Sequence, residues 1–119
     1  MILQNELYTI VETGDNVAKI RLLPECAIYQ GHFPGNPVTP GVCQVGIVEE
    51  LAGMICGFRL HLKEVKLLKY IDILRPVTDD VEVSFDKLEE EGDVVMTKGT
   101  LMSGGRVFTK FSLVFGEEA

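Results

Sequence analysis

The stretch that decides the fold is Pro40-Gly-Val-Cys-Gln-Val-Gly-Ile-Val-Glu-Glu-Leu-Ala-Gly-Met-Ile-Cys-Gly57. Most of its side chains are apolar, whereas a helix on a protein surface keeps one broad polar face. Pro40 stands where the first turn of a helix tolerates proline. The stretch therefore predicts a buried helix over residues 41–57.

The segments on both sides of this helix predict β-strands. Before it, residues 7–12 and 17–23 are joined across Gly14-Asp15-Asn16, whose composition favours a tight turn. Four further runs follow the helix and are separated by polar turns: residues 64–77, 81–88, 94–102 and 106–115. Consecutive hairpins imply an antiparallel sheet. We therefore predict a single α+β domain, residues 1–119, whose antiparallel sheet wraps around one long central helix.

Composition excludes several classes of function. A net charge of −7 opposes binding to nucleic acid and to anionic lipid. No apolar run approaches the length that spans a bilayer, and the first residues lack the features of an export signal, so we expect a cytoplasmic protein without membrane contact. Three cysteines without C-x-x-C spacing are expected to be reduced and buried: Cys26, Cys43 and Cys56.

The histidines point to one candidate site. His61 has no second ligand nearby in sequence, so we expect it on the surface, and we expect neither a metal site nor a cofactor. His32 lies in a proline-rich loop just before the helix, and this stiff loop would hold the imidazole near the free N–H groups of the helix N-terminus. Those N–H groups can polarise an acyl carbonyl, and Gly41 would let a substrate approach closely. A packing role for His32 stays open.

The loop His32-Phe-Pro-Gly-Asn-Pro-Val-Thr-Pro-Gly-Val42 resembles the signature of the β-hydroxyacyl-acyl carrier protein dehydratases of fatty acid synthesis. The resemblance extends to a second segment, which is similar to a strand, a turn and a following strand later in the sequences of that family: Tyr70-Ile-Asp-Ile-Leu-Arg-Pro-Val-Thr-Asp-Asp-Val-Glu-Val83. The resemblance implies the hotdog fold, with His32 as the base that removes the α-proton and the N–H of Gly41 on the thioester oxygen. It also implies that the substrate is bound by residues around these two: Phe33, Pro40, Gly41, Val42, Gln44 and Gly46.

The expected helix acid is missing. Family members carry Glu or Asp fourteen positions after the histidine, where this chain has Gly46. Side chains on a helix lean towards its N-terminus, so a carboxylate from Glu49 or Glu50 could reach the space beside Gly46. We predict Glu50 as the acid, with Glu49 as the other candidate. Three alternatives stay open: both carboxylates form an exposed helix edge, Gln44 orients a water, or His32 acts alone.

The resemblance also implies partners. Family sites lie between two subunits, so we expect a homodimer or a trimer of dimers, and the substrate would arrive on acyl carrier protein. Five basic residues form a strip in the sequence: Arg59, Lys63, Lys66, Lys69 and Arg75. This strip could attract the acidic carrier, or it could equally be a solvated strand face. Two rival functions are a hotdog acyl thioesterase and a catalytically impaired acyl-binding or partner subunit that lost its acid at Gly46.

Overall fold

The elements of the chain follow the predicted order closely. The computed structural model describes residues 2–31, 35–76 and 79–118. Its elements are β1 (Tyr8–Gly14), β2 (Val17–Leu22), α1 (Ala27–Gly31), α2 (Gly41–Cys56), β3 (Leu60–Tyr70), β4 (Val81–Glu91), β5 (Val94–Ser103) and β6 (Arg106–Glu117).

The long helix α2 begins directly after Pro40 and ends where Gly57 adopts a left-handed backbone with φ of 88°. The Gly57 N–H donates to the Gly53 carbonyl at 2.8 Å, which satisfies one of the last carbonyls of the helix. One side of α2 is buried against the sheet: Cys43, Gln44, Val45, Ile47, Val48, Leu51 and Ala52. The opposite side is only partly covered, since Met54 is 50% exposed, so the expectation of burial on most sides is wrong for the single chain.

Six antiparallel strands form one sheet in the order β1-β2-β4-β5-β6-β3, with β1 and β3 at its edges. The hairpin predicted around residues 14–16 is present, because Gly14 pairs with Val17. The core lies between the sheet and α2, where Phe85 and Phe111 meet edge to face with ring centroids 5.7 Å apart. This α+β arrangement of a sheet around one long helix confirms the predicted hotdog architecture.

Three local expectations are wrong. Strand β3 ends at Tyr70 rather than at residue 77, because the N–H groups of Ile71 and Asp72 both donate to the Phe108 carbonyl and the chain leaves the ladder there. A short helix, α1, interrupts the loop that was expected to be irregular, and it occupies a proline-free part of that loop. The thiols are free as expected, but only one is buried, while the other two, Cys26 and Cys56, are half-buried.

Candidate functional site

The motif loop is described from Gly35 onward. His32 and Phe33 lie outside the described residues, so their roles as base and substrate contact stay predictions. The rest of the loop is attached to the connection between β3 and β4. The Thr39 N–H donates to the Leu74 carbonyl at 2.7 Å, and Arg75 Nη1 donates to Asn36 Oδ1 at 2.9 Å. The two sequence segments that carry the family resemblance therefore contact each other.

A buried polar network holds the same loop from below. Thr39 is 2% exposed, and its hydroxyl lies 2.8 Å from the Tyr29 hydroxyl. Gln44 Nε2 donates to the Thr39 carbonyl at 3.1 Å, and Thr109 Oγ1 donates to Gln44 Oε1 at 2.5 Å. Burial raises the pKa of Tyr29 to about 12, so the phenol stays protonated at neutral pH. These contacts fix where the loop enters α2.

Gln44 was predicted to bind substrate or to orient a water. The structure places its side chain in the core, 4% exposed, with both ends of the amide hydrogen-bonded to protein groups. The network was not foreseen, although the sequence carries a signal for it. Thr39, Gln44 and Thr109 are polar residues within otherwise apolar segments, and a buried polar side chain needs a partner.

The start of α2 is open on one side and crowded on the other. Val42 is 79% exposed and Pro40 is half-buried, so the first turn of the helix is only partly covered on that side. The ring of Tyr70 packs directly on Gly41, and a Cβ at that position would lie 2.5 Å from Tyr70 Cζ. The space beside Gly41 is occupied by the Tyr70 phenol, and the approach of a substrate to Gly41 stays a prediction.

The position of the missing acid is occupied by another residue. A Cβ added at Gly46 would lie 2.7 Å from Leu3 Cδ1. Leu3 is itself 5% exposed, so its side chain is part of the core. Space that a carboxylate would need at this point of the helix is therefore filled by leucine.

The Glu50 carboxylate is fully engaged in hydrogen bonds. Its Oε2 accepts from the Leu3 N–H at 2.6 Å, and its Oε1 accepts from the Gln4 N–H at 3.0 Å and from the Tyr8 hydroxyl at 2.9 Å. Burial, followed by the hydrogen bond and the charge of Glu50, raises the pKa of Tyr8 far above its ordinary range. The structure thus places the predicted acid in contact with the start of the chain. We call these three contacts the Glu50 latch.

Glu49 lies beside a cavity of about 520 Å³. Burial raises the pKa of its carboxyl, the negative charges of Glu118 and Glu50 raise it further, and His61 opposes them. His61 is exposed, as expected, and its ring packs on Gly116, where a Cβ would lie 3.0 Å from Cε1. The cavity is lined by Ile2, Gln4, Glu49, Glu50, Gly53, Met54, Phe58, Arg59, Leu60, His61 and Glu118. Because these residues are far apart in the sequence, sequence patterns did not indicate the cavity.

The edge strand β3 is almost entirely exposed. Four apolar or aromatic side chains on it are between 37% and 47% exposed: Leu62, Val65, Leu67 and Tyr70. Lysines lie between them, at positions 63, 66 and 69. An uncovered edge with large apolar side chains is typical of a surface that meets another chain.

Neither a metal site nor a membrane span was found in the part of the chain that the structure describes. Across residues 2–31, 35–76 and 79–118, the His, Cys, Asp and Glu side chains form no group of three that could hold a metal ion. Over the same residues, every helix is too short or too polar to cross a bilayer.

Comparisons with known proteins agree on a dehydratase family. A family model described as ApeI dehydratase matches residues 9–106. A 3-hydroxyacyl-acyl-carrier-protein dehydratase FabZ of Levilactobacillus brevis is 28% identical over 94 residues, which cover 73% of this chain and 63% of that relative, less than two thirds of its length.

Solved structures agree on the fold. The dehydratase heterocomplex ApeI:P from Xenorhabdus doucetiae matches with a TM-score of 0.65 and 17% identity, over 96% of this chain and 100% of that one. A mutant thioesterase from Pseudomonas aeruginosa matches with a TM-score of 0.64 and 13% identity, over 92% of this chain and 79% of that one. Dehydratases and thioesterases thus share this architecture, and the fold alone does not choose between them.

Proposed function

The chain belongs to the family of ApeI-like dehydratases, and from this premise we propose that it removes water from 3-hydroxyacyl thioesters on acyl carrier protein to give trans-2-enoyl thioesters. The observation that carries the proposal is the attachment of the motif loop. The Thr39 N–H bond to the Leu74 carbonyl and the buried Gln44 amide hold the loop against the start of α2. The described part of the loop is thus held next to a helix N-terminus, and a base and an oxyanion donor that act on one substrate need such fixed positions.

In this reaction His32 takes the proton from the carbon next to the thioester. The N–H of Gly41 stabilises the negative charge that develops on the thioester oxygen. The pair of electrons left on the α-carbon forms the double bond as the bond from the β-carbon to the hydroxyl oxygen breaks. A proton donor must then convert the departing hydroxyl into water. Phe33, Pro40 and Val42 are proposed to contact the acyl group.

We propose Glu49 rather than Glu50 as the proton donor. Both oxygens of the Glu50 carboxylate already accept hydrogen bonds from groups of the protein, so they are not free to contact a departing hydroxyl. Glu49 lines the same cavity as Glu50 but takes no part in the Glu50 latch, and burial raises its pKa, so a larger fraction of it is protonated near neutral pH.

The proposed assembly is a homodimer or a trimer of dimers in the cytoplasm. The exposed apolar edge of β3 supports it, because a second copy could cover this edge and extend the sheet. In such an assembly His32 of one protomer and Glu49 of its partner would serve one site. The basic side chains along β3 would attract the acidic acyl carrier protein.

The test measures hydration of an enoyl-acyl carrier protein and dehydration of the 3-hydroxyacyl form. We expect His32→Ala to lower both rates at least about a hundredfold, the usual contribution of a positioned general base. Glu49→Gln should also lower them, whereas Glu12→Gln, the same change on an exposed side chain of β1, should not. A His32→Ala variant that is folded and retains full activity would refute the proposal.

A second candidate is a hotdog acyl thioesterase, and the place of Glu49 beside an open cavity favours it. A carboxylate there could activate water for attack on a thioester. Separate incubation with acyl and 3-hydroxyacyl thioesters distinguishes the two, because a thioesterase releases free thiol and a dehydratase releases none. Binding of either thioester without any turnover would instead indicate an acyl-binding partner subunit.

A further inference from the structure

Residues 2–7, which we call the 2–7 segment, are packed into the fold rather than loosely attached to it. The segment forms a tight turn in which the Leu7 N–H donates to the Leu3 carbonyl at 2.7 Å. Leu3 and Leu7 are 5% and 0% exposed. The family match begins at residue 9, so the segment lies outside the part of the chain that the match covers.

Two contacts hold the 2–7 segment on α2. The first is steric: the Leu3 side chain lies on Gly46, at the point where the helix has no side chain of its own. The second is the Glu50 latch, in which the carboxylate accepts the N–H groups of Leu3 and Gln4 together with the Tyr8 hydroxyl. Gly46 and Glu50 are one helical turn apart, so the two contacts act on the same face of α2.

The same segment also borders the cavity that holds Glu49. Ile2 and Gln4 line that cavity together with Met54 and Leu60. Both Glu49 and Glu50 line the cavity, but neighbouring helical residues project about 100° apart, so Glu49 can face the open space while the Glu50 carboxylate is bound by the segment. Any change that releases the segment would expose the half-buried Glu49 carboxyl further to water.

We propose that the 2–7 segment is a fixed wall of the Glu49 cavity, and that Leu3 and Glu50 are positioning residues that hold this wall in place beside the proton donor. The inference rests on the proposed dehydratase function for the role of Glu49, but the wall itself does not depend on that function. It also explains two unusual residues together, since glycine at position 46 makes room for Leu3 and glutamate at position 50 holds its backbone.

The charged groups around Glu49 set the direction of the expected effect. Glu50 on the same helix and Glu118 after β6 disfavour its charged form, whereas His61 on β3 favours it. Arg59 also lines the cavity. If the wall is opened, water hydrates the Glu49 carboxylate more fully, which should lower the pKa of Glu49. A donor must be protonated, so the high-pH limb of the dehydration rate should then move to lower pH.

The experiment compares Leu3→Ser with the wild-type protein. Serine opens the wall without a change of charge. We expect the high-pH limb of kcat to move down by at least about half a pH unit, which is roughly a threefold loss of rate above the midpoint. Tyr8→Phe removes a single hydrogen bond of the latch and serves as a milder second variant if Leu3→Ser does not fold. Val11→Ser, an exposed position on β1, is the matched control and should leave the limb in place.

A second readout needs no activity. The side-chain carbon of Glu49, assigned by comparison with Glu49→Gln, is titrated by NMR in each variant. A pKa that falls in Leu3→Ser or Tyr8→Phe supports the wall, and an unchanged pKa in both folded variants overturns it. If the pKa falls but the limb stays, Glu49 is not the donor and the positioning role is overturned. If the wild-type protein dehydrates nothing, the proposed function fails while the titration still decides whether the wall exists.

Discussion

Replacement of Glu50 by alanine separates a structural carboxylate from a catalytic one. The substitution removes the acceptor of three hydrogen bonds, from the Leu3 and Gln4 N–H groups and the Tyr8 hydroxyl. Hydrogen bonds to a charged group contribute about 1.5–3 kcal/mol each when buried, and less where water can replace the partner. Tyr8 is 0% exposed, so the substitution would leave its buried hydroxyl without the carboxylate acceptor.

We expect the free energy of unfolding of Glu50→Ala to fall by about 3 kcal/mol, with most of the loss in the Tyr8 and Leu3 contacts. The assay is urea denaturation followed by circular dichroism. Tyr8→Phe alone should lose about 1 kcal/mol, and the double variant should lose less than the sum, since both changes remove one shared contact. Glu12→Gln, whose side chain is 72% exposed, should stay within about 0.5 kcal/mol of the wild-type value.

A loss below about 0.5 kcal/mol in Glu50→Ala would refute this reasoning, because that is the effect expected of an exposed residue near a helix end. Additivity of the Glu50→Ala and Tyr8→Phe effects would also count against the latch. Under either result Glu50 would return to consideration as the proton donor.

Three further outcomes are expected. Gly46→Glu should lose stability and gain no activity, since its new Cβ meets Leu3 Cδ1 at 2.7 Å, and pairing it with Leu3→Ala should recover stability in the same urea assay. Glu49→Gln should be more stable than the wild-type protein at pH 7, because the folded-state pKa of Glu49 is raised and its ionisation opposes folding. That difference should disappear below about pH 4, where the carboxyl is protonated in both states, as urea titrations across pH would show. Gly99→Ala should lose roughly 2 kcal/mol or more by thermal unfolding, since a Cβ there strikes the Ser84 carbonyl of the neighbouring strand.

Much of the fold was accessible from local sequence patterns. The helix over 41–57 and five of the six strands lie within a few residues of their predicted bounds, because alternation and turn composition act over short distances. The end of β3 was missed by seven residues, from 77 to 70. Pairing with β6 decides that end, through the Phe108 carbonyl, and such a contact has no local signature.

The candidate site was accessible only in part. The motif around His32 and Gly41 could be identified from its amino-acid sequence. The same comparison with the family pattern showed that the acid is absent at Gly46. What replaces that acid could not be inferred from the helix alone. Helical spacing allowed either Glu49 or Glu50, and the sequence prediction preferred Glu50. Whether either carboxylate is free to act depends on its contacts with residues 3–8, which helical spacing does not reveal.

The order of elements, the long helix and the residues that mark a dehydratase family were determined by the sequence, because each depends on neighbours within a few positions along the chain. Only the tertiary structure decided that Leu3 fills the space at Gly46, that Glu50 is bound by three donors, and that Glu49 shares a cavity with His61 and Glu118. The physical reason is that burial and hydrogen bonding, which set the chemistry of a carboxyl group, are supplied here by residues more than forty positions distant for Glu50.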